Sequence, residues 1–292
     1  MLLRFVCFLA ACSACFSQCT QNTLRGTWAL YTQGVIMMTP PGSTQAAPAL
    51  GAQLLTIKVD YQGRFTGSGF MSLNGQTASG SLGGVFQVNP DCTATDTFWI
   101  NSITGMPPFP GQGFERLVIL NNGTEMRGQV TQGVLGAPVG VDYYRRISWG
   151  DAQCTSDMVR GLYAFSYEGA VVMTPPGETQ PQAVPTSIVG TSWVDYQNRM
   201  TGGMTNSMGG AMMDFNFVNS SGSVNADCTG ISTWSIVPKG TTQALPGQGI
   251  DHTVVLNGGD EIISITTQGV MGGPVLIGKM KRISLTPTGT SW

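Results

Sequence analysis

Charge is scarce in this sequence. Lys and Arg number 14 and Asp and Glu 16 among 292 residues, for a net charge of −2. No basic cluster exceeds Tyr143-Tyr144-Arg145-Arg146 or Lys279-Met280-Lys281-Arg282. Neutralising a phosphate backbone takes many Lys and Arg, so the composition argues against nucleic acid as a partner, and against an anionic membrane surface for the same reason. Histidine occurs once, at His252, and nothing matches G-x-S-x-G, which argues against a hydrolytic triad. The sequence has Phe114-Glu115 in its first half where its second half has Asp251-His252, and the plain expectation for His252 is a strand edge. The Gly-rich stretch Gly67 to Gly84 lacks both the lysine and the following helix of a phosphate loop; barrel bends and close backbone approach explain it better. Long apolar runs are missing too. The longest, Phe5 to Phe16, is too short to span a bilayer, so no transmembrane segment is expected.

The residues present in quantity are Gly (40 of 292), Thr, Ser, Asn and Gln. That composition suits an extracellular β protein, because helices would need more Ala, Leu, Glu and Lys. Residues 1–17 read as a secretory signal: Arg4 supplies the positive end, Phe5 to Phe16 the apolar stretch, and Cys15 and Ser17 the small residues before a cut. A lipoprotein box at Leu9-Ala10-Ala11-Cys12 is the rival reading. The expected location is therefore secreted, with the periplasm or a lipid-anchored surface as alternatives. Cleavage after Ser17 leaves four cysteines, and the expected pairs are Cys19–Cys92 and Cys154–Cys228, formed in an oxidising compartment. Each closes a loop of about 75 residues, worth roughly 4 kcal/mol on the chain-entropy account.

The chain says everything twice. Thr39-Pro40-Pro41-Gly42 returns as Thr174-Pro175-Pro176-Gly177, Asp60-Tyr61-Gln62 as Asp195-Tyr196-Gln197, Pro110-Gly111-Gln112-Gly113 as Pro246-Gly247-Gln248-Gly249, and Thr131-Gln132-Gly133-Val134 as Thr267-Gln268-Gly269-Val270. Matching residues differ by 135 in number in the first half of the unit and by 136 in the second. Two copies of one fold are expected, over 18–149 and 150–292.

Each copy divides into eight strand-like runs. In the first they are Gly26 to Met37, Ala52 to Tyr61, Arg64 to Ser72, Gln76 to Val88, Thr93 to Thr104, Gln112 to Leu120, Glu125 to Thr131 and Val139 to Ser148. Tight turns (Gln62-Gly63, Asn89-Pro90-Asp91, Asn121-Asn122-Gly123) alternate with longer Pro- and Gly-rich links. In an up-and-down meander, alternate links share an end. The fold class expected is thus all-β: two tandem eight-stranded antiparallel up-and-down barrels, each with a tight end and a loop-rich mouth. Cys19 and Cys92 both fall at the tight end.

Gly26-Thr27-Trp28 at the start of the first run resembles the G-x-W opening of the calycin barrels, the lipocalins and avidins. The resemblance implies that Trp28 plugs the closed end with Arg146 packed on it, and that Tyr163 and Arg282 do so in the second copy. The unit is also similar to tandem repeats of secreted soil-bacterial proteins that carry N-x-D-C-T-G, here Asn225-Ala226-Asp227-Cys228-Thr229-Gly230.

Asp60, Asp195, Asp91 and Asp227 read as turn caps, and Glu125 and Glu261 as solvated strand edges. Met200, Met204, Met208 and Met212 read as core filler rather than a copper site, so neither a metal nor a cofactor is expected. The most plausible site is the mouth, where both copies keep uncharged amides: Gln45, Gln112 and Gln132, and Gln180, Gln248 and Gln268. They suit a small apolar or neutral polar ligand or a glycan, bound without chemistry. A barrel isomerase or cyclase acting on a hydrophobic substrate is the alternative, and would require ionisable groups pointing inward. A purely structural surface protein would have barrels filled by side chains.

Overall fold

The computed structural model describes residues 18–38, 44–106, 110–134, 136–175 and 177–286. The expected signal segment, residues 1–17, lies outside the described residues. Nine strands build the first unit: β1 (Gly26–Met38), β2 (Ala47–Val59), β3 (Arg64–Leu73), β4 (Gln76–Val88), β5 (Thr93–Ile103), β6 (Gly113–Leu120), β7 (Glu125–Gln132), β8 (Ala137–Gly140) and β9 (Asp142–Ser148). Eight build the second: β10 (Gly161–Met173), β11 (Gln182–Val194), β12 (Met200–Met208), β13 (Ala211–Val224), β14 (Thr229–Pro238), β15 (Gly249–Leu256), β16 (Glu261–Gln268) and β17 (Gly273–Ser284). Strands β10 to β17 form a closed antiparallel barrel in sequence order. The first unit closes in the same way, β1 pairing with β2 on one side and with β8 and β9 on the other. Its last stave, expected as one run from Val139, is interrupted at Val141 and starts two residues earlier.

The change of offset between the copies has a local cause. The β13–β14 register slips between Val218 and Ser221, and Asn219 takes a positive φ of 50°. One extra residue bulges there. The Ser220 hydroxyl ties the bulge to the Met200 backbone, accepting from its N–H at 2.6 Å.

The tight ends are fixed by local polar chemistry. Asp60 Oδ1 accepts from the backbone N–H groups of Gln62 (2.7 Å) and Arg64 (2.9 Å), and Asp195 does the same for Gln197 and Arg199. Asp91 and Asp227 cap the next turns through Thr93 and Thr229. Both disulfides, Cys19–Cys92 and Cys154–Cys228, lie at this end, each with Cα atoms 4.9 Å apart. Such bonds persist in oxidising compartments and point to an extracellular or envelope location.

The barrels are welded side to side. Outward residues of the first (Ala29, Tyr31, Ala52, Leu54) meet outward residues of the second (Val254, Leu256, Ile263, Ile265, Val275, Ile277) in one buried cluster. Glu125 and Glu261, expected as solvated edges, instead flank Arg145, which bonds Glu125 and reaches Glu261 at 2.9 Å across the interface. Duplication put the same glutamate at both sides of the contact, and one arginine serves both. We expect Arg145→Ala to weaken the coupling of the barrels by about 1–2 kcal/mol, since it leaves two half-buried carboxylates facing each other. Separation of a single urea unfolding transition into two would show it.

Candidate ligand-binding site

Strand β6 alternates buried Gly113, Glu115, Leu117 and Ile119 with exposed Phe114, Arg116 and Val118. Glu115 therefore points into the first barrel beside Leu117 and Ile119. Its cross-strand partner is Asp96 on β5, and Asp142 joins them from β9. All three are buried. Glu115 Oε2 accepts from the Tyr144 hydroxyl at 2.6 Å, and Asp142 accepts from the Thr32 hydroxyl. Among the described residues no lysine or arginine pairs with these carboxylates. Desolvation pushes Asp96 and Asp142 up to about 7 and raises Glu115 well above the carboxylate range, the neighbouring acids adding to it. Two oxygens, Asp96 Oδ1 and Glu115 Oε1, have no donor. Carboxyls so placed must share protons.

The register corrects the pairing of the copies. Asp96 opposes Glu115 as Ser232 opposes Asp251, and Glu115 opposes Val130 as Asp251 opposes Thr266. Glu115 and Asp251 are thus the same position, and His252 stands where the first copy has Arg116. His252 is not at an edge. It lies on the outer face of β15, stacked on Phe70 of the other barrel at 3.5 Å between ring centres, and its burial there lowers its pKa.

Around this shared acid the copies have exchanged their neighbours. In the first barrel Gly128 leaves room for the glutamate: a Cβ there would lie 1.7 Å from Glu115 Oε1. In the second, the glycine moves to the next stave. Gly278 takes the place of Asp142, and a Cβ on it would lie 2.3 Å from the Tyr167 ring. Tyr167 fills that gap from β10 and donates to Asp251 Oδ2 at 3.0 Å. Trp234 Nε1 donates to the same oxygen at 3.0 Å. Burial drives the Asp251 pKa up to about 6, held back by bonding from Thr266, Tyr167 and Trp234.

The first barrel packs Trp28, Phe65, Phe86, Met126 and Tyr144 into its centre. The second keeps a cavity of about 70 Å³, room for roughly five waters at ~15 Å³ each. Its wall is mostly apolar, with Phe165, Phe217, Leu276 and the adaptable Met200, Met204 and Met280. Gly269 to Gly272, from the loop-rich end, also line it. Of the evenly spaced methionines, Met200 and Met204 are thus core filler, whereas Met212 is exposed. A wider space of about 550 Å³ lies between the barrels, lined by serines, threonines, Phe70 and His252. Several of its hydroxyls already pair with one another, Ser79 with Thr104 at 2.7 Å and Ser81 with Ser102 at 2.8 Å.

The six glutamines are all exposed at the mouth ends, Gln132 and Gln268 as the last residues of β7 and β16 and the other four in loops. Gln248 and Gln268 meet directly, Gln268 Nε2 donating to the Gln248 carbonyl at 2.9 Å, at the edge of the loop over the cavity. Gln45 and Gln112 sit beside segments outside the described residues. None of the six lines the cavity.

No known protein family and no curated protein matches the chain. Among solved structures, a tryptophan-to-alanine mutant of the vaccine antigen transferrin binding protein B from Haemophilus parasuis shows 8% identity, covering 87% of this chain and 74% of its own, with a TM-score of 0.25. A protein of unknown function from the DUF3598 family of Nostoc punctiforme shows 7% identity, covering 91% of this chain and 100% of its own, with a TM-score of 0.20. Likeness at this level says nothing about what this chain binds.

Proposed function

We propose that this is a secreted, non-enzymatic tandem barrel in which the second barrel binds a small, largely apolar molecule in its lumen, while the first is a filled partner that braces it. The carrying observation is the lumen cavity itself: an apolar chamber with a few convergent polar groups, at the mouth of a barrel, is a usual ligand site. The glutamines at the mouth, Gln248 and Gln268 foremost, would meet a ligand on its way in and not at its resting place. Ser232 lines the wall, and a larger side chain there fills the space. We expect Ser232→Leu to abolish binding of small hydrophobes while changing stability by less than ~1.5 kcal/mol. Ligand-observed NMR with a panel of small apolar compounds tests it; equal binding to both proteins sinks the lumen as the site.

One observation favours a second reading. Asp251 is a titratable carboxyl with a raised pKa inside a cavity, which a barrel isomerase or cyclase would need for proton transfer. Turnover of a bound compound, lost in Asp251→Asn, would decide for it.

A further inference from the structure

The polar groups of the lumen are unbalanced. Asp251 Oδ1, Asn206 Oδ1, Ser192 Oγ and Ser264 Oγ are buried without a hydrogen-bond partner, and all four residues line the cavity. The first two are acceptors, and the serine hydroxyls turn either way. Of the donors that bond the acid, Tyr167 and Trp234 are both spent on Asp251 Oδ2, with Thr266 on the same carboxyl. Of the titratable groups that line the cavity from the eight staves, Asp251 and Tyr167 are the two, and no cation faces them. Unpaired buried acceptors are costly, so the occupant that relieves them must bring N–H or O–H donors, and the only formal charge facing it is negative. Around that charge stand the rings of Phe165, Phe217 and Trp234, whose faces attract cations.

We propose that the lumen of the second barrel takes a compact aliphatic ammonium ion, its N–H groups donating to Asp251 Oδ1 and Asn206 Oδ1 and its alkyl tail lying among Met200, Met204 and Met280 toward the tight end. This rests on the lumen being the binding site, and it adds the charge and donor character of the ligand. The volume limits the ion to a few heavy atoms, below the benzene that a 150 Å³ cavity accepts. Among the described residues of the first barrel, Asp142 and Tyr144 occupy the ground that Gly278 and Met280 leave open in the second.

The test compares n-propylamine with 1-propanol, alike in shape and differing in charge, by ligand-observed NMR on the full disulfide-bonded chain. At pH near 7.5 the amine should bind at least tenfold more tightly. Asp251→Asn should remove that preference and leave propanol binding in place. In the unaltered protein the preference should shrink as pH falls through about 6, where Asp251 takes up its proton. Equal binding of amine and alcohol, or an amine preference that survives Asp251→Asn, overturns the ammonium assignment while leaving the lumen site standing. Failure of both probes to bind overturns the lumen site as well.

Discussion

Lowering the pH from about 8 to about 5 should stabilise the first barrel, by at most about 5 kcal/mol, the reverse of ordinary acid destabilisation. The cause is the carboxyl cluster of Asp96, Glu115 and Asp142. In the unfolded chain these titrate near 4. In the barrel, burial raises Asp96 and Asp142 to about 7 and Glu115 further. A carboxyl whose folded pKa is raised binds its proton more tightly folded than unfolded. Its contribution is fully present below the unfolded value and is lost as pH rises through the folded one. Between pH 7 and 5 one such group contributes ~3 kcal/mol, and two contribute ~5 kcal/mol less whatever their coupling removes. Asp251, raised to about 6, adds the same sign in the second barrel over a narrower range. His252 opposes it, because burial on Phe70 favours its neutral form and that preference becomes a cost below its unfolded pKa. The surface caps Asp91 and Asp195, lowered by their hydrogen bonds, and Asp151, lowered by Lys58 beside it, lose their contribution only below about pH 4, outside this window. Urea midpoints measured across pH 5 to 8 check the slope, and Asp96→Asn with Glu115→Gln should flatten it. A profile that is flat or falls toward pH 5 in the unaltered protein would show that these carboxyls are hydrated or paired.

Much of the architecture was written in the repeat. Turn residues alternating with Pro-rich links gave the meander and its two ends, and the positions of Cys19 and Cys92 agreed with it independently. The turn caps were legible because Asp two residues before a backbone N–H acts locally. The inward acids were not read, although β6 offered the signal: Glu115 shares its parity with Leu117 and Ile119. The obstacle was physical. A strand's period of two separates faces only when one of them is wet. In β16, Ile262, Ile263, Ser264, Ile265 and Thr266 are all buried, three of them facing the lumen and two, Ile263 and Ile265, the other barrel. Side-by-side packing erased the polar face, and with it the clue to which face was inside. The pairing of Glu115 with Asp251 was legible, because the 136-residue offset that joins Gln112 to Gln248 joins these two as well. The role of Glu125 and Glu261 depends on a contact between the barrels, which no local pattern encodes.

Removing the plug of the first barrel should cost about 4–5 kcal/mol, at the upper end for a buried Trp→Ala change. Trp28 is fully buried, and its Nε1 donates to the Leu24 carbonyl at 2.8 Å. Arg146 lies over its ring at 4.0 Å and under Trp149 at 3.6 Å, so the guanidinium is sandwiched between two indoles. Among the described residues no acid pairs with it. Its nitrogens donate instead to the carbonyls of Gly123 (2.7 Å), Thr23 (2.5 Å) and Arg25, and burial lowers its pKa to about 10. Trp28→Ala therefore opens a cavity, strands the Leu24 carbonyl and takes one of the two π faces from a buried charge. The second copy shows how the position tolerates a smaller ring. Tyr163 donates its hydroxyl to the Gly259 carbonyl at 2.6 Å, and Arg282 donates to that hydroxyl at 3.2 Å, so the oxygen stands between arginine and carbonyl. Trp28→Tyr can copy this with Gly123 and Arg146, and should cost only about 1–2 kcal/mol. Urea unfolding of the two variants separates the effects: a tyrosine variant as unstable as the alanine one would mean that indole volume, not the stacked and bonded arginine, holds the closed end together.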